Sequence, residues 1–238
     1  MLQLEHVAVH RRGGFSLQVQ GLALAPGARV TVIGPSGGGK STLLRALVGL
    51  EAHAEVRGLR WNGEDLSAAA PHRRPFGWLP QELGLWPQLS ALAHVAFART
   101  RGRSITANDA DTHVLAQLGL AQRAQALPAQ LSGGERQRLA FARVIALQPA
   151  WAVLDEPFSN LDPVMAHELS QAFQALAHRL GMGLIQVTHQ LLAPAADDTF
   201  WALENGHLTQ AGHWADLQTR PATPWIERFV ALQPPHSH

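Results

Sequence analysis

The N-terminal stretch LQLEHVAV alternates apolar and polar residues, and FSLQVQGL and RVTVIG keep a similar period, which predicts three strands before residue 35. VRGLRW (56–61) reads as a fourth, followed by Asn62-Gly63, a dipeptide suited to a tight turn. From Leu89 to Leu131 the pattern changes: Ala, Leu, Gln and Arg recur with helical spacing, broken near TRGRS and ALPAQ, as in a helical lobe inserted into a strand-rich chain. Beyond it, WAVLD and GLIQVTH are continuous apolar runs, the mark of strands covered on both faces. Between these two, Asp162-Pro163 supplies a helix N-cap and a proline at the first helical position, and Met165, Leu169, Phe173, Leu176 and Leu180 form one apolar stripe. The segment FWALENGHLTQAG reads as a hairpin turning at Asn205-Gly206, and the end, PPHSH, as a frayed terminus.

Strand, helix, strand implies a parallel unit, so the expected fold is α/β, with a mostly parallel sheet, an antiparallel β edge near the N-terminus and an inserted α-helical subdomain. The expected division is one domain, with residues 1–86 and 132–212 as core, 87–131 as the helical subdomain and 213–238 as a C-terminal tail. Composition agrees: 238 residues, 46% hydrophobic and 16% charged, suffice for a sizeable core. Nineteen Lys plus Arg against eighteen Asp plus Glu leave a net charge of +1, so no global field favours nucleic acid or an acidic membrane surface. The absence of cysteine excludes disulfides, thiolate metal sites and thiol catalysis. The N-terminus lacks the apolar stretch of a signal peptide, and no run approaches the roughly 18 residues of a membrane span. A cytoplasmic chain is therefore expected, with any membrane role exercised through a partner.

The chemistry begins at GPSGGGKST. Gly34, Pro35, Ser36, Gly37, Gly38, Gly39, Lys40, Ser41 and Thr42 follow an apolar strand and precede a helical run, and Gly34-x-x-x-x-Gly39-Lys40-Ser41 is a phosphate-binding loop, the Walker A pattern. Such glycines let successive backbone N–H groups face a polyphosphate, and the dipole of the following helix favours the same charge. Lys40 is then placed for the terminal phosphates and the Ser41 hydroxyl for Mg²⁺. Hydrolysis requires in addition a metal-positioning carboxylate and a group that acts on water. Asp155 and Glu156, at the end of the WAVLD strand, suit those two roles.

An Asp-Glu pair says little by itself, but its companions are specific: LSGGERQR from Leu131 to Arg138, Gln81 in WLPQE, SNLD at Ser159 to Asp162, and His189 ending IQVTH. With these, the chain resembles the ATP-binding cassette family, the nucleotide-binding subunits of ABC transporters. LSGGE resembles the family's signature, Gln81 its Q-loop, Ser159-x-Leu161-Asp162 its D-loop and His189 its switch histidine, in the family's order from Gly34 to His189. The fold so implied is a P-loop NTPase core. Physically, Ser132-Gly133-Gly134 ahead of ERQRLAFARVIAL is a second N–H-rich helix start suited to an anion.

The resemblance implies an ATPase with ATP and Mg²⁺ as cofactors, working as a homodimer in which the signature of one cassette closes over the γ-phosphate held by the other. It assigns phosphate binding to Lys40 and the loop backbone, and Mg²⁺ to Ser41, Asp155 and Gln81. Catalysis falls to Glu156, His189 and Gln81. Ser132, Gly133 and Gly134 would act in trans, and Asp162 would connect the two sites across the dimer while also capping its helix. One departure concerns the base: the family places an aromatic residue in the first strand turn, whereas this chain has AVHRRGG there and no Tyr. His10, Arg11, Arg12 or Phe15 would have to lie over the ring, so looser discrimination between ATP and GTP is expected.

The segment Leu83 to Ala98 gathers Leu85, Trp86, Leu89 and Leu92, either as core of the helical lobe or as the groove that receives a short helix from a membrane subunit. Its GLWPQLSALAHVAFA resembles a stretch common in importer cassettes. The expected function is thus the energy-coupling ATPase of an importer of a small hydrophilic solute. Its partners would be integral-membrane permease subunits, and indirectly a solute-binding protein, and it would sit peripherally on the inner face of the cell membrane. The alternative is the ATPase of an exporter or lipid-handling system with separate membrane subunits. A soluble ABC protein of translation or repair would show paired cassettes or a long coiled-coil insert. The residues beyond Gly212 are too few for a regulatory domain of their own.

Overall fold

A computed structural model describes residues 1–11, 13–188 and 198–233. Strands β1 (Leu2–His10) and β2 (Ser16–Leu24) pair antiparallel from Leu2 against Leu24 to His10 against Ser16. Strand β3 (Arg29–Ile33) runs into the glycine-rich turn and helix α1 (Lys40–Val48). VRGLRW, expected as one strand, is two: β4 (Ala54–Arg57) and β5 (Arg60–Trp61), both antiparallel to β1. The break is local in cause. Buried Leu59 gives its N–H to Ser67 Oγ (3.0 Å) and its carbonyl to the Leu66 N–H (2.7 Å), which leaves neither group for the ladder. The Asn62-Gly63 turn forms as expected, with φ of 51° and 89°, and leads into β6 (Glu64–Asp65).

After β7 (Phe76–Leu79) come helices α2 (Ala91–Arg99), α3 (Asp109–Gln117) and α4 (Gly133–Leu147). Ser90 caps α2, while Asn108 with Asp111 and Ser132 with Glu135 form capping boxes that start α3 and α4. Arg99, at the end of α2, forks onto the fully buried Asp111 at 2.7 and 3.0 Å and fastens α2 to α3. Then β8 (Trp151–Asp155), α5 (Pro163–Arg179) and β9 (Gly183–Val187) complete a parallel unit, with Asp162 Oδ1 accepting from the N–H groups of Val164 (3.1 Å) and Met165 (3.0 Å). The apolar stripe of α5 ends a turn early. Leu169, Phe173 and Leu176 are buried but Leu180 is 44% exposed, because the helix stops at Arg179 and the chain turns to insert Met182 into the core instead.

The hairpin of β10 (Thr199–Glu204) and β11 (His207–His213) turns at Asn205 and Gly206, with φ of 49° and 79°. It is no appendage: β10 lies parallel to β3 inside an 11-stranded sheet of order β6-β5-β1-β2-β11-β10-β3-β9-β8-β7, with β4 on β1. From β10 to β7 the neighbours are parallel, and from β6 to β2 antiparallel. Residues 213–233 contribute α6 (Trp214–Thr219) and α7 (Pro224–Ala231), whose Trp214, Leu217 and Ile226 pack with Ile33, Phe200 and Ala202.

Strand β8 shows why its sequence is apolar throughout. Trp151 and Val153 face the cluster of α1 and the N-terminal strands, whereas Ala152 and Leu154 face the cluster of α2, α3, α4 and α5. In register, Val187 stands beside Val32 on one side and Asp155 on the other. The carboxyl ends of β3, β8 and β9 therefore finish level, the edge at which parallel α/β sheets place their ligands.

Candidate functional site

At that edge the glycine-rich loop is wedged against β10. A Cβ at Gly34 (φ 152°) would lie 2.0 Å from the Leu203 carbonyl oxygen, so the strand approaches as closely as a bare backbone permits. The hairpin turn adds a bond, from Gly206 N–H to the Gly38 carbonyl (3.1 Å), and the Gly206 carbonyl is itself held by the Gln18 N–H (2.7 Å). Leu203 and Gly206 thus support the loop. Sequence reading missed both in this role, although the Asn-Gly pair signalled the turn.

Lys40 is buried, and its Nζ donates to the carbonyls of Gly34 (2.8 Å) and Pro35 (2.9 Å). Burial holds its amine below the usual lysine range, opposed by the charges of Glu156 and Asp155. Ser41 Oγ donates to Asp155 Oδ1 at 2.8 Å. Burial pushes the Asp155 carboxyl up, a shift increased by Glu156 and opposed by the Ser41 bond and by Arg45 and Lys40. Glu156 takes a left-handed conformation (φ 47°) unusual for its type, with its carbonyl accepting from Ser159 Oγ (3.1 Å). Gln81 Nε2 donates to Glu156 Oε2 at 3.1 Å. Lys40, Ser41, Asp155, Glu156 and Gln81, expected as one site, are therefore brought together.

Lys40, Ser41 and Glu156 line a cleft of about 450 Å³, within the range of small-molecule sites, whose walls also include Ser36, Gly37, Gly39, Thr42, Arg11 and Phe15; Asp155 and Gln81 stand behind it, bonded to Ser41 and Glu156. The Arg11 guanidinium lies 5.8 Å from the Phe15 ring centroid and pairs with Glu51. Of the candidates for base stacking, Arg11 and Phe15 line the cleft. His10 bonds Ser16 Oγ at 3.1 Å instead, and Arg12 lies outside the described residues, as does His189. The paired hydroxyl and carboxylate of Ser41 and Asp155 fit a hard cation such as Mg²⁺. Among the described residues no group of three or more His, Asp or Glu could hold a metal ion.

Ser132, Gly133 and Gly134 do not line this cleft. Ser132 and Gly133 are exposed at the start of α4, with Ser132 Oγ accepting from the Glu135 N–H (3.2 Å), and Gly134 packs on Met165 beside the Asp162 cap. Two further side chains of α4, Gln137 inside the quoted LSGGERQR stretch and Arg143 beyond it, were given no role from the sequence but touch the site's supports. Buried Gln137 donates from Nε2 to the Pro157 carbonyl, and Arg143 Nη1 donates to the carbonyls of Leu83 (2.9 Å) and Gly84 (2.7 Å).

In the apolar segment after Gln81, part is core and part is groove. Leu83, Leu85 and Leu92 pack on the core, whereas Trp86 lines a groove of about 200 Å³ with Trp78, Phe97, Arg101 and Arg143. Trp86 is boxed in by the Arg143 guanidinium 4.6 Å from its ring, by Phe97 edge-on at 4.9 Å and by His94 at 5.5 Å. Burial lowers the Arg143 guanidinium to about 10. No helix among the described residues is long and apolar enough to cross a membrane.

Residues 17–159 match the family model described as ABC transporter. The chain is 37% identical over 236 residues to the Fe(3+) ions import ATP-binding protein FbpC of Streptomyces coelicolor, covering 98% of this chain and 68% of that one. It is 34% identical to the sulfate/thiosulfate import ATP-binding protein CysA 2 of Chromobacterium violaceum, over 95% of this chain and 63% of the relative. It thus spans only about two thirds of the length of these two. Against the glutamine transport ATP-binding protein GlnQ of Escherichia coli it is 34% identical over 97% of its own length and 98% of the relative's. Among solved structures, an ATP-binding subunit of an ABC transporter superposes with a TM-score of 0.77 at 24% identity, covering 97% of this chain and 98% of the other. A bacterial ABC transporter cassette solved as a dimer gives 0.72 at 25%, covering 90% and 98%. With its glycine-rich loop and Glu156 lining one cleft, Asp155 and Gln81 bonded to that lining, and this extent of matching, the chain belongs to the ABC transporter family.

Proposed function

We propose that this chain is the ATP-hydrolysing, energy-coupling subunit of an ABC importer. The observation that carries the reading is the convergence of Gln81, Glu156, Asp155 and Ser41 at the mouth of the phosphate loop. Lys40 and the N–H groups from Gly37 to Thr42 hold the phosphates of ATP, and Ser41 and Asp155, with Gln81 alongside, hold Mg²⁺. When bound, that ion would supply positive charge against the negative charge that develops as the terminal phosphoryl is transferred. Glu156, oriented by the Gln81 amide, accepts the proton of the water that attacks the γ-phosphorus; ADP departs and inorganic phosphate is released. Lys40 and Asp155, both shifted by burial toward their neutral forms, gain in this arrangement the opposite charges that favour ionisation.

His189 would complete the γ-phosphate contacts. The Ser132-Gly133-Gly134 turn would bind the phosphate of a second copy, with Asp162 nearby at that seam. Residues 87–131 act as the lobe that moves relative to the core, and the Trp86 groove receives a membrane permease, which places the chain peripherally on the inner membrane face. The import relatives named for iron, sulfate and glutamine support a small hydrophilic solute, delivered by a solute-binding protein on the far side.

The test uses Glu156→Gln. It should bind ATP as the parent does while turnover falls by about 10² to 10⁴, the usual contribution of a positioned general base. A variant that hydrolyses at the parental rate would refute the role. The same variant, tagged and captured with ATP and Mg²⁺ from detergent-solubilised host membranes, should bring a permease encoded beside a solute-binding protein. Exporter-type membrane chains, or soluble partners alone, would replace the import reading.

A further inference from the structure

We propose that helix α4 brackets the catalytic pair of its own cassette, with Gln137 and Arg143 as positioning residues that act through Glu156 and Gln81 respectively. The inference rests on the ATPase reading above and concerns how its geometry is held.

On one side, Gln137 is buried and its amide donates to the carbonyl of Pro157, the residue after Glu156. One helical turn further along α4, Phe141 stacks on Phe158 with centroids 5.4 Å apart and planes 22° from parallel. Glu156 itself has φ 47°, a conformation that non-glycine residues keep only where the surroundings hold them in it. The Gln137 bond and the Phe141 stack are two of those constraints, since both fix the peptide planes immediately beyond it. The Ser159 hydroxyl on the Glu156 carbonyl is a third.

On the other side, Arg143 reaches the segment that begins two residues after Gln81. Its Nη1 donates to two consecutive carbonyls, those of Leu83 and Gly84, both residues having positive φ (63° and 57°). The same guanidinium covers Trp86 at 4.6 Å, and the Trp86 N–H donates to His94 Nε2 at 2.9 Å. The segment is thus pinned at both carbonyls, at its indole and at an amide. Lysine can donate to two carbonyls, as Lys40 does, but it has no plane to lay over the indole while doing so, which the Arg143 guanidinium has.

The two anchors close a circuit: α4 to Pro157, Glu156 to Gln81 at 3.1 Å, and Leu83 and Gly84 back to α4. Gln137 and Arg143 are six residues apart, so on a helix of 3.6 residues per turn they project about 120° apart, separated by about 9 Å of rise. One stiff rod therefore holds two segments that come from distant parts of the chain. The rod starts at the Ser132-Gly133-Gly134 turn, whose Ser132 and Gly133 are exposed. A displacement there, such as engagement of a nucleotide phosphate held by a second copy, moves both anchors together and resets the distance between the Gln81 amide and the Glu156 carboxylate.

Arg143→Lys and Gln137→Met, which keep charge or volume, test the bracket in the full chain, assayed alone and with the membrane subunits it captures. Each should bind ATP and show KM within about twofold of the parent while kcat falls about tenfold or more, the pattern of a misplaced catalytic group. In a Gln81→Ala background, Arg143→Lys should cause no further loss, because the group it positions is gone. Parental kcat in both variants, parallel loss of affinity and kcat, or full multiplication of the Arg143 and Gln81 effects would overturn the proposal. A parental chain without ATPase activity would overturn the functional reading itself, whereas an active parent with unaffected variants would remove the bracket alone.

Discussion

His94 shows at the scale of one residue how a buried titratable group can be structural. It is fully buried, its Nε2 accepts from the Trp86 N–H (2.9 Å) and its Nδ1 faces the Ser90 carbonyl (2.8 Å), which fixes the neutral ring with its proton on Nδ1. Burial holds it below the ordinary value of 6.5, helped by the charge of Arg143 and opposed by the bonds to the Ser90 and Leu89 backbone. The sign follows: below about pH 6.5 the unfolded chain binds the proton more readily than the folded one, so stability is lost as pH falls through that value toward the folded one. Protonation would also remove the acceptor for Trp86 and set a second cation beside Arg143. Urea unfolding between pH 7.5 and 5 should therefore show a falling midpoint in the parent. His94→Gln can supply both an acceptor and a donor without titrating, and should flatten that slope; an unchanged slope would assign the acid sensitivity elsewhere.

Among the elements, the β10–β11 hairpin has a double duty, because its turn closes the sheet and also steadies the phosphate loop. A Cβ on Gly206 (φ 79°) would stand 1.8 Å from the Ser16 carbonyl oxygen, a backbone atom that cannot swing away. Gly206→Ala should cost at least about 2 kcal/mol, through left-handed strain and the forced shift of β2. That lowers Tm by roughly 4–8 °C for a chain of this size. Because the Gly206 N–H bonds the Gly38 carbonyl, ATP affinity should weaken as well. Normal affinity in a destabilised variant would confine the turn to a structural role. The turn itself was legible in the sequence, since Asn-Gly between apolar runs is a local signal, and so were the phosphate loop, the acids ending β8 and the Asp162 cap. The insertion of β10 beside β3, the split at Leu59 and the anchors at Gln137 and Arg143 were not, because each depends on a through-space neighbour that spacing along one segment does not encode. The α5 stripe was legible up to Leu176, and periodicity alone overran the helix end at Leu180. His189, read by its place after a strand, lies outside the described residues.

For the molecule as a whole, the decisive feature is that its two phosphate-type helix starts do not serve one cleft. The start of α1 lines the cleft with Lys40 and Ser41, whereas the start of α4 presents Ser132 and Gly133 to solvent and packs behind on Met165. Ser132 Oγ accepts from the Glu135 N–H, so what the α4 start offers a ligand is that hydroxyl's remaining O–H, backbone N–H groups and dipole, a weak anion site unless the anion is delivered in place. A second copy delivers it if ATP bound in its cleft faces that turn, and neither copy gains this contact without nucleotide. Association should therefore require bound ATP and persist only while the γ-phosphate remains. By light scattering, Glu156→Gln with ATP and Mg²⁺ should sediment and scatter as twice the mass of one chain, and with ADP as one. Lys40→Ala, lacking the cation proposed above to hold the terminal phosphates, should stay monomeric in both. Dimers of Lys40→Ala with ATP would mean that the copies meet through some other surface, and a monomeric Glu156→Gln would mean that the membrane subunits, not the nucleotide, supply the energy of closure.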